Sequence, residues 1–308
     1  MINNYRKDID GLRAISVLPV ILFHSEILIF SGGFVGVDIF FVISGFLITK
    51  IIVSETLNNT FKLANFYQRR IRRILPALLT VIIISIPAFW IILLPTFFKD
   101  FSQSVFSSVI FLSNFLFYFE GGNYWAVSEF KPLLHTWSLS IEEQFYLFYP
   151  ILLLTLIQIS LNITKLVVLI IFLISFGLCI TNVENSLNFY LTHIRLWELL
   201  LGGLIYFVNI KYTKKFSYKI VYNFLSFFGL ALIFASIFFF NNEINYPSLY
   251  TLYPTVGAGL IILFSNKDTF VYYILSNKVL VFIGLISYSL YLWHLPVLVF
   301  FNAYFIDS

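Results

Sequence analysis

The chain has 308 residues, of which 60% are hydrophobic, 20% aromatic and only 11% charged, whereas soluble domains carry about 25% charged residues. That composition excludes an ordinary soluble domain and predicts an all-α, polytopic transmembrane helix bundle. The net charge of +4 reads as topological signal beside membrane spans, not as a nucleic-acid surface.

Arg6 and Lys7 precede the first apolar run, which continues past the length of a signal core without a small-residue cleavage site. It reads as a retained span over residues 12–29 with the N-terminus inside. Asp10 is placed to cap its start, and Pro19 should kink it by freeing the Ile15 carbonyl. Arg13 and His24 lie eleven residues apart within this run. At about 100° per residue they share one helix face, about 16 Å apart along the axis. A span of about 30 Å then puts one near the inner edge and the other past the middle.

A Gly-rich turn over 31–38 reverses the chain into a second span, 39–53, and antiparallel packing brings Asp38 toward the level of His24. A carboxylate on one ring nitrogen leaves the other basic, as proton abstraction from an attacking hydroxyl requires. Glu26 points to another face and reads as an outer-edge charge.

Arg69, Arg70, Arg72 and Arg73 stand just ahead of the third span, 77–94. The positive-inside rule places them in the cytoplasm. Arg69 and Arg72 are three apart, as are Arg70 and Arg73, so each pair can share a helix face and clamp a polyphosphate. Orienting the span is the alternative role, and both can hold. Residues 101–119 are apolar but broken by serines and an asparagine. Basic connectors at Lys211, Lys214, Lys215 and Lys219, and at Lys267 and Lys278, fall on the inner side if 101–119 enters and returns. Later spans at 139–158, 166–182, 190–208, 220–240, 250–265 and 279–303 then give nine crossings and a re-entrant segment; ten crossings is the alternative.

Lys131 to Tyr146 is the second concentration of polar groups, with His135, Glu142 and Glu143. The glutamates are favoured by the helix dipole if exposed at its start. Alternatively, one faces a cavity and supplies a base, a histidine partner or an acceptor for sugar hydroxyls. Arg195 and Glu198 read as a structural pair at the membrane edge. His294, among aromatic neighbours, reads as structural, and Cys179, the single cysteine, as a small buried residue. No P-loop, Rossmann glycine pattern, nucleophile elbow or zinc-ligand spacing appears, so no metal is expected.

Several of these stretches resemble the membrane acyltransferase-3 family, bacterial proteins that acylate cell-surface glycans. The similarity runs through Tyr5 to Ala14, the Arg13 and His24 pair, Gly32 to Thr49, Phe66 to Pro76, His135 to Tyr146, Trp197 to Gly202 and Ser287 to Pro296. It covers nearly the whole chain as one transmembrane domain, residues 1–308. The pattern is nearest the subgroup that O-acetylates lipopolysaccharide O-antigen or peptidoglycan.

The resemblance implies acetyl-CoA as cytoplasmic donor and a hydroxyl of a lipopolysaccharide O-antigen, peptidoglycan or exopolysaccharide as acceptor, at the bacterial inner membrane. The subgroup often carries a C-terminal SGNH hydrolase-like domain, which leaves a separate SGNH-type domain open as a partner. The family's basic residue and histidine in the first span fall on Arg13 and His24, and its cytoplasmic arginine pair falls on Arg69 and Arg72. On this reading the arginines hold the CoA phosphates, and Arg13 guides the donor or holds the bundle. His24, oriented by Asp38, activates the acceptor or relays the acyl group. A glycan-lipid transporter or flippase would share the spans and buried polar groups without consuming acetyl-CoA, and a non-catalytic scaffold would tolerate loss of His24.

Overall fold

The structure, a computed structural model, describes residues 5–120, 131–181, 189–212 and 219–306. Among these residues there are twelve α-helices and no strand, as expected where the backbone must satisfy its own hydrogen bonds in an apolar phase. Seven helices are long and apolar enough to cross a membrane. They are α2 (Gly36–Leu57), α3 (Leu63–Ile92), α6 (Thr136–Ile159), α7 (Leu161–Thr181), α8 (Thr192–Tyr212), α9 (Lys219–Phe239) and α12 (Lys278–Ile306). Two further expected spans correspond to α1 (Lys7–His24) and α10 (Leu252–Phe264). The first carries Lys7, Asp8, Asp10 and Arg13 within its 18 residues, and the second has only 13 residues.

The start of α1 is held differently from the expected Asp10 cap. Arg6 precedes the helix and forks onto Asp8, Nε to Oδ1 at 2.8 Å and Nη2 to Oδ2 at 2.6 Å. The same Nη2 donates to the Ile262 carbonyl at 3.1 Å, which ties this end of α1 to α10. Asp10 lies inside the first turn instead, with Oδ1 3.7 Å from Arg13 Nη1. The helix runs through Pro19 and stops at His24, short of residue 29; Glu26 follows at φ 59°.

Several pairs of helices touch backbone to backbone. A Cβ added to Gly45 of α2 would lie 1.7 Å from the Leu199 carbonyl oxygen of α8, and one added to Gly284 of α12 would lie 1.8 Å from the Asp10 oxygen of α1. Small residues permit such approach, and van der Waals packing then holds helices that lipid cannot drive together.

The arginine cluster is absorbed into the first turns of α3. The segment expected to enter and return, 101–119, is two helices, α4 (Pro95–Val109) and α5 (Ser113–Phe119), broken around Phe111 at φ 56°. At 15 and 7 residues neither reaches across the roughly 20 residues a spanning helix needs. Several of its polar side chains pair with α6. Ser108 Oγ pairs with Thr136 Oγ1 at 2.8 Å, Ser113 Oγ with Ser140 Oγ at 2.7 Å, and Gln144 Nε2 donates to Asn114 Oδ1 at 2.9 Å. The short α11 (Phe270–Leu275) precedes α12. Of the expected basic connector, Lys214 and Lys215 lie outside the described residues.

Candidate active site

Helices α1, α2, α3, α6 and α12 enclose a cavity of about 80 Å³ whose lining includes Arg13, Ser44, Arg70, Arg73, Ser138, Glu142, Tyr146, Tyr288 and Tyr291. Arg70 also lies over two rings, its Cζ 5.7 Å from the Phe66 centroid and 5.3 Å from that of Tyr146. Glu142 accepts hydrogen bonds from the Ser44 and Tyr146 hydroxyls. Of the two adjacent glutamates, Glu142 thus faces the cavity. Glu143 is not among its lining, and its Oε1 is buried without a hydrogen-bond partner.

The expected arginine pairs separate. Arg70 and Arg73 line the cavity beside Arg13. Arg69 instead turns to Glu55, Nη2 lying 3.1 and 3.0 Å from the two carboxylate oxygens, and Arg72 is exposed outside the lining. Helical geometry explains the split. Consecutive residues diverge by about 100°, so four arginines in five positions cannot all face one cavity.

His24 sits at the last residue of α1, on the wall of a second cavity of about 560 Å³. Ser31, Glu26, Asn241, Asn242, Glu243 and Asn302 supply polar groups around it. The volume lies in the usual range for ligand sites, about 300–1,000 Å³. His24 Nδ1 is 2.8 Å from the Val20 carbonyl of its own helix. Donation there makes Nε2 the basic nitrogen.

Asp38 does not orient His24, contrary to the sequence expectation. It is fully buried, and its Oδ1 accepts from Arg195 Nη2 at 2.6 Å while its Oδ2 accepts from the Tyr246 hydroxyl. Arg195 Nη1 also lies 3.0 Å from Glu198 Oε1, so the expected structural pair is present as part of a larger ion cluster. The guanidinium carbon lies 5.3 to 5.8 Å from the ring centroids of Phe41, Trp137, Phe189 and Tyr246. Tyr246 belongs to the connection between α9 and α10. Burial, and then the Asp38 charge, hold its hydroxyl well above the usual phenol range, so it stays a donor. A guanidinium offers several donors in a fixed fork and is drawn to the nearest buried carboxylates more strongly than an imidazole.

Between the two cavities stands a wall of protonatable rings. The His24 and His294 centroids are 5.0 Å apart, His294 and His135 5.1 Å, and Tyr291 is 5.3 Å from each of the latter two. Tyr291 and Ser138, whose hydroxyls are 2.6 Å apart, line the smaller cavity, whereas His24 lines the larger. His294 was read from sequence as structural, yet it is the residue that joins His24 to His135. The available signal was its place three residues after Tyr291 on α12, which puts both on one face. No signal in the sequence pairs His135 with His294, because that contact is between helices. Among the described residues no group of three or more His, Cys, Asp or Glu side chains converges as metal ligands do.

Comparison with known proteins agrees with this architecture. The profile of the acyltransferase-3 family, described as an acyltransferase domain, matches residues 6–308. A Staphylococcus aureus (strain MSSA476) protein named "Putative O-acetyltransferase SAS0844" is 35% identical over 320 residues, covering 99% of this chain and 52% of that protein. The O-acetyltransferase OatA of S. aureus (strain NCTC 8325 / PS 47) is 33% identical over 317 residues, with the same coverage of 99% and 52%. The chain therefore spans about half the length of the curated relatives it matches. No solved structure matches it. With the family profile covering nearly the whole chain and the helix bundle in agreement, this protein belongs to the acyltransferase-3 family.

Proposed function

We propose that this protein is a membrane O-acetyltransferase, taking the acetyl group from acetyl-CoA on the side of the arginine cluster and delivering it to a glycan hydroxyl on the side of His24. The observation that carries this reading is the placement of three arginines and a histidine on two cavities at opposite ends of one short wall. The relatives named as O-acetyltransferases supply the group transferred. The basic first turns of α3 support a cytoplasmic donor side under the positive-inside rule. The polar cleft then faces outward, where cell-surface glycans such as peptidoglycan or lipopolysaccharide O-antigen are found.

In this reading Arg70 and Arg73 meet the CoA phosphates with charge-assisted hydrogen bonds. The small cavity takes only the thioester end of the pantetheine arm. Glu142 orders the Ser44 and Tyr146 hydroxyls around it. Arg13, at the same cavity, adds a third positive charge that guides the anionic donor. His24 Nε2 takes the proton from the acceptor hydroxyl as general base. Sugar hydroxyls find acceptors and donors in Asn241, Asn242, Glu243 and Asn302 around the larger cavity. A separate SGNH-type domain, acting on the outer side, fits the greater length of the relatives.

The test is transfer of labelled acetyl from acetyl-CoA to cell-envelope glycan, comparing wild type with His24→Ala at matched membrane levels. Label in the wild type alone supports the proposal. Equal label in both overturns the role of His24, and a wild type that moves glycan-lipid without labelling it is a flippase.

A further inference from the structure

We infer that His294, His135 and Tyr291 carry a proton through the wall between the two cavities, from His24 at the acceptor end to the leaving sulfur at the donor end. This inference rests on the acyl-transfer reading above.

The observations are independent of that reading. His135 and His294 are 1% and 6% exposed, inside a bundle otherwise rich in aromatic and aliphatic side chains. Neither ring nitrogen of His135, nor Nε2 of His294, has a side-chain hydrogen-bond partner. Nδ1 of His294 is 2.5 Å from the Tyr291 carbonyl, and the Tyr291 hydroxyl donates to the His135 carbonyl at 2.9 Å. Burying polar atoms without partners is costly, and apolar side chains would fill the same space without that cost. Three imidazole nitrogens side by side without a side-chain partner therefore point to use. Their position supports proton transfer, because the column begins at the larger cavity with His24 and ends at the smaller with Tyr291 and Ser138.

The chemistry needs protons at both ends. The acceptor O–H bond breaks, its proton goes to His24 Nε2, and the oxygen forms the new bond to the acyl carbon. The carbon–sulfur bond breaks, and the sulfur leaves as a thiolate that takes the Tyr291 hydroxyl proton. Tyr291 regains a proton from His135, which is supplied through His294 from His24. The net change is one ester and one thiol formed from one alcohol and one thioester, with no proton gained or lost. The attacking oxygen sits about 3 Å from the acyl carbon before bond formation, and the sulfur leaves from the opposite side of that carbon. Proton removal and proton delivery therefore fall to different groups, His24 and Tyr291.

The experiment uses the purified full chain in detergent, acetyl-CoA and a soluble glycan oligomer, with CoA thiol release and ester formation followed together. His294→Ala, His135→Gln and Tyr291→Phe should each lower kcat at least 10-fold while KM for both substrates stays within about twofold. Their solvent deuterium isotope effect should exceed that of the wild type, and added imidazole should restore part of the His294→Ala rate. Wild-type rates in the variants overturn the inference, as does a loss with unchanged isotope effect and no imidazole rescue. If His294→Ala does not fold, Tyr291→Phe, which removes one oxygen, decides on kcat and isotope effect. A wild type that releases no thiol in the presence of acceptor instead overturns the acyl-transfer reading itself.

Discussion

The Asp38 carboxylate is bound by the Arg195 guanidinium at 2.6 Å, with both side chains withdrawn from solvent. This ion pair joins α2 to α8, the two helices that Gly45 lets meet backbone to backbone. Removing one partner of a buried pair leaves the other charge uncompensated, at a cost of about 3–5 kcal/mol. Asp38→Ala should therefore lower the melting temperature in detergent markedly. Were Asp38 a partner of His24, the substitution would instead reduce turnover in a protein of unchanged stability.

Gly45→Ala attacks the same interface without touching a charge. Its new methyl would overlap the Leu199 carbonyl oxygen, and overpacking of this kind costs about 1–3 kcal/mol. A lower melting temperature, with unchanged affinity for acetyl-CoA in the folded fraction, is the expected result. A variant as stable as the wild type would contradict the close approach of α2 and α8.

The division of the arginines gives a binding prediction. Arg70→Ala with Arg73→Ala should weaken acetyl-CoA binding by more than about 10-fold, since hydrogen bonds to charged groups contribute about 1.5–3 kcal/mol each. Arg69→Ala with Arg72→Ala should change affinity much less, because Arg69 is engaged by Glu55 and Arg72 lies outside the cavity. Calorimetry on the two double variants compares them directly, and the reverse order of effects would return the donor site to the outer pair.

His24→Ala should lower acetyl transfer by about 10²–10⁴-fold, the usual contribution of a general base. Its melting temperature and its affinity for acetyl-CoA should stay close to wild type, since the donor cavity is formed by other residues. Steady-state kinetics with a glycan oligomer, beside thermal melts of the same preparations, separates this outcome from a folding defect.

Much of the site was legible because helical periodicity is local. The eleven-residue interval from Arg13 to His24 puts them on different cavities, Arg13 near the middle of the helix and His24 at its last residue. The arginine cluster does meet a cavity, although the periodicity allowed two pairs and only packing against α2 and α6 selects Arg70 and Arg73. Asp38 was misread because sequence places it at the level of His24 but cannot reveal that Arg195, 157 residues later, reaches it first. His294 was undervalued for the same reason, since its histidine neighbours come from α1 and from the start of α6.

Composition and hydropathy by themselves determined that the chain is a bundle of membrane helices, because an apolar solvent leaves the backbone no other way to satisfy its polar groups. Motif resemblance determined the family. Tertiary structure alone decided which polar residues meet: Asp38 with Arg195, Arg13 with Arg70 and Arg73, and His294 with both His24 and His135. The physical reason is that a helix specifies which residues share its face over a few turns. The partner opposite that face depends on where distant segments pack, and here on glycines that bring those segments into contact.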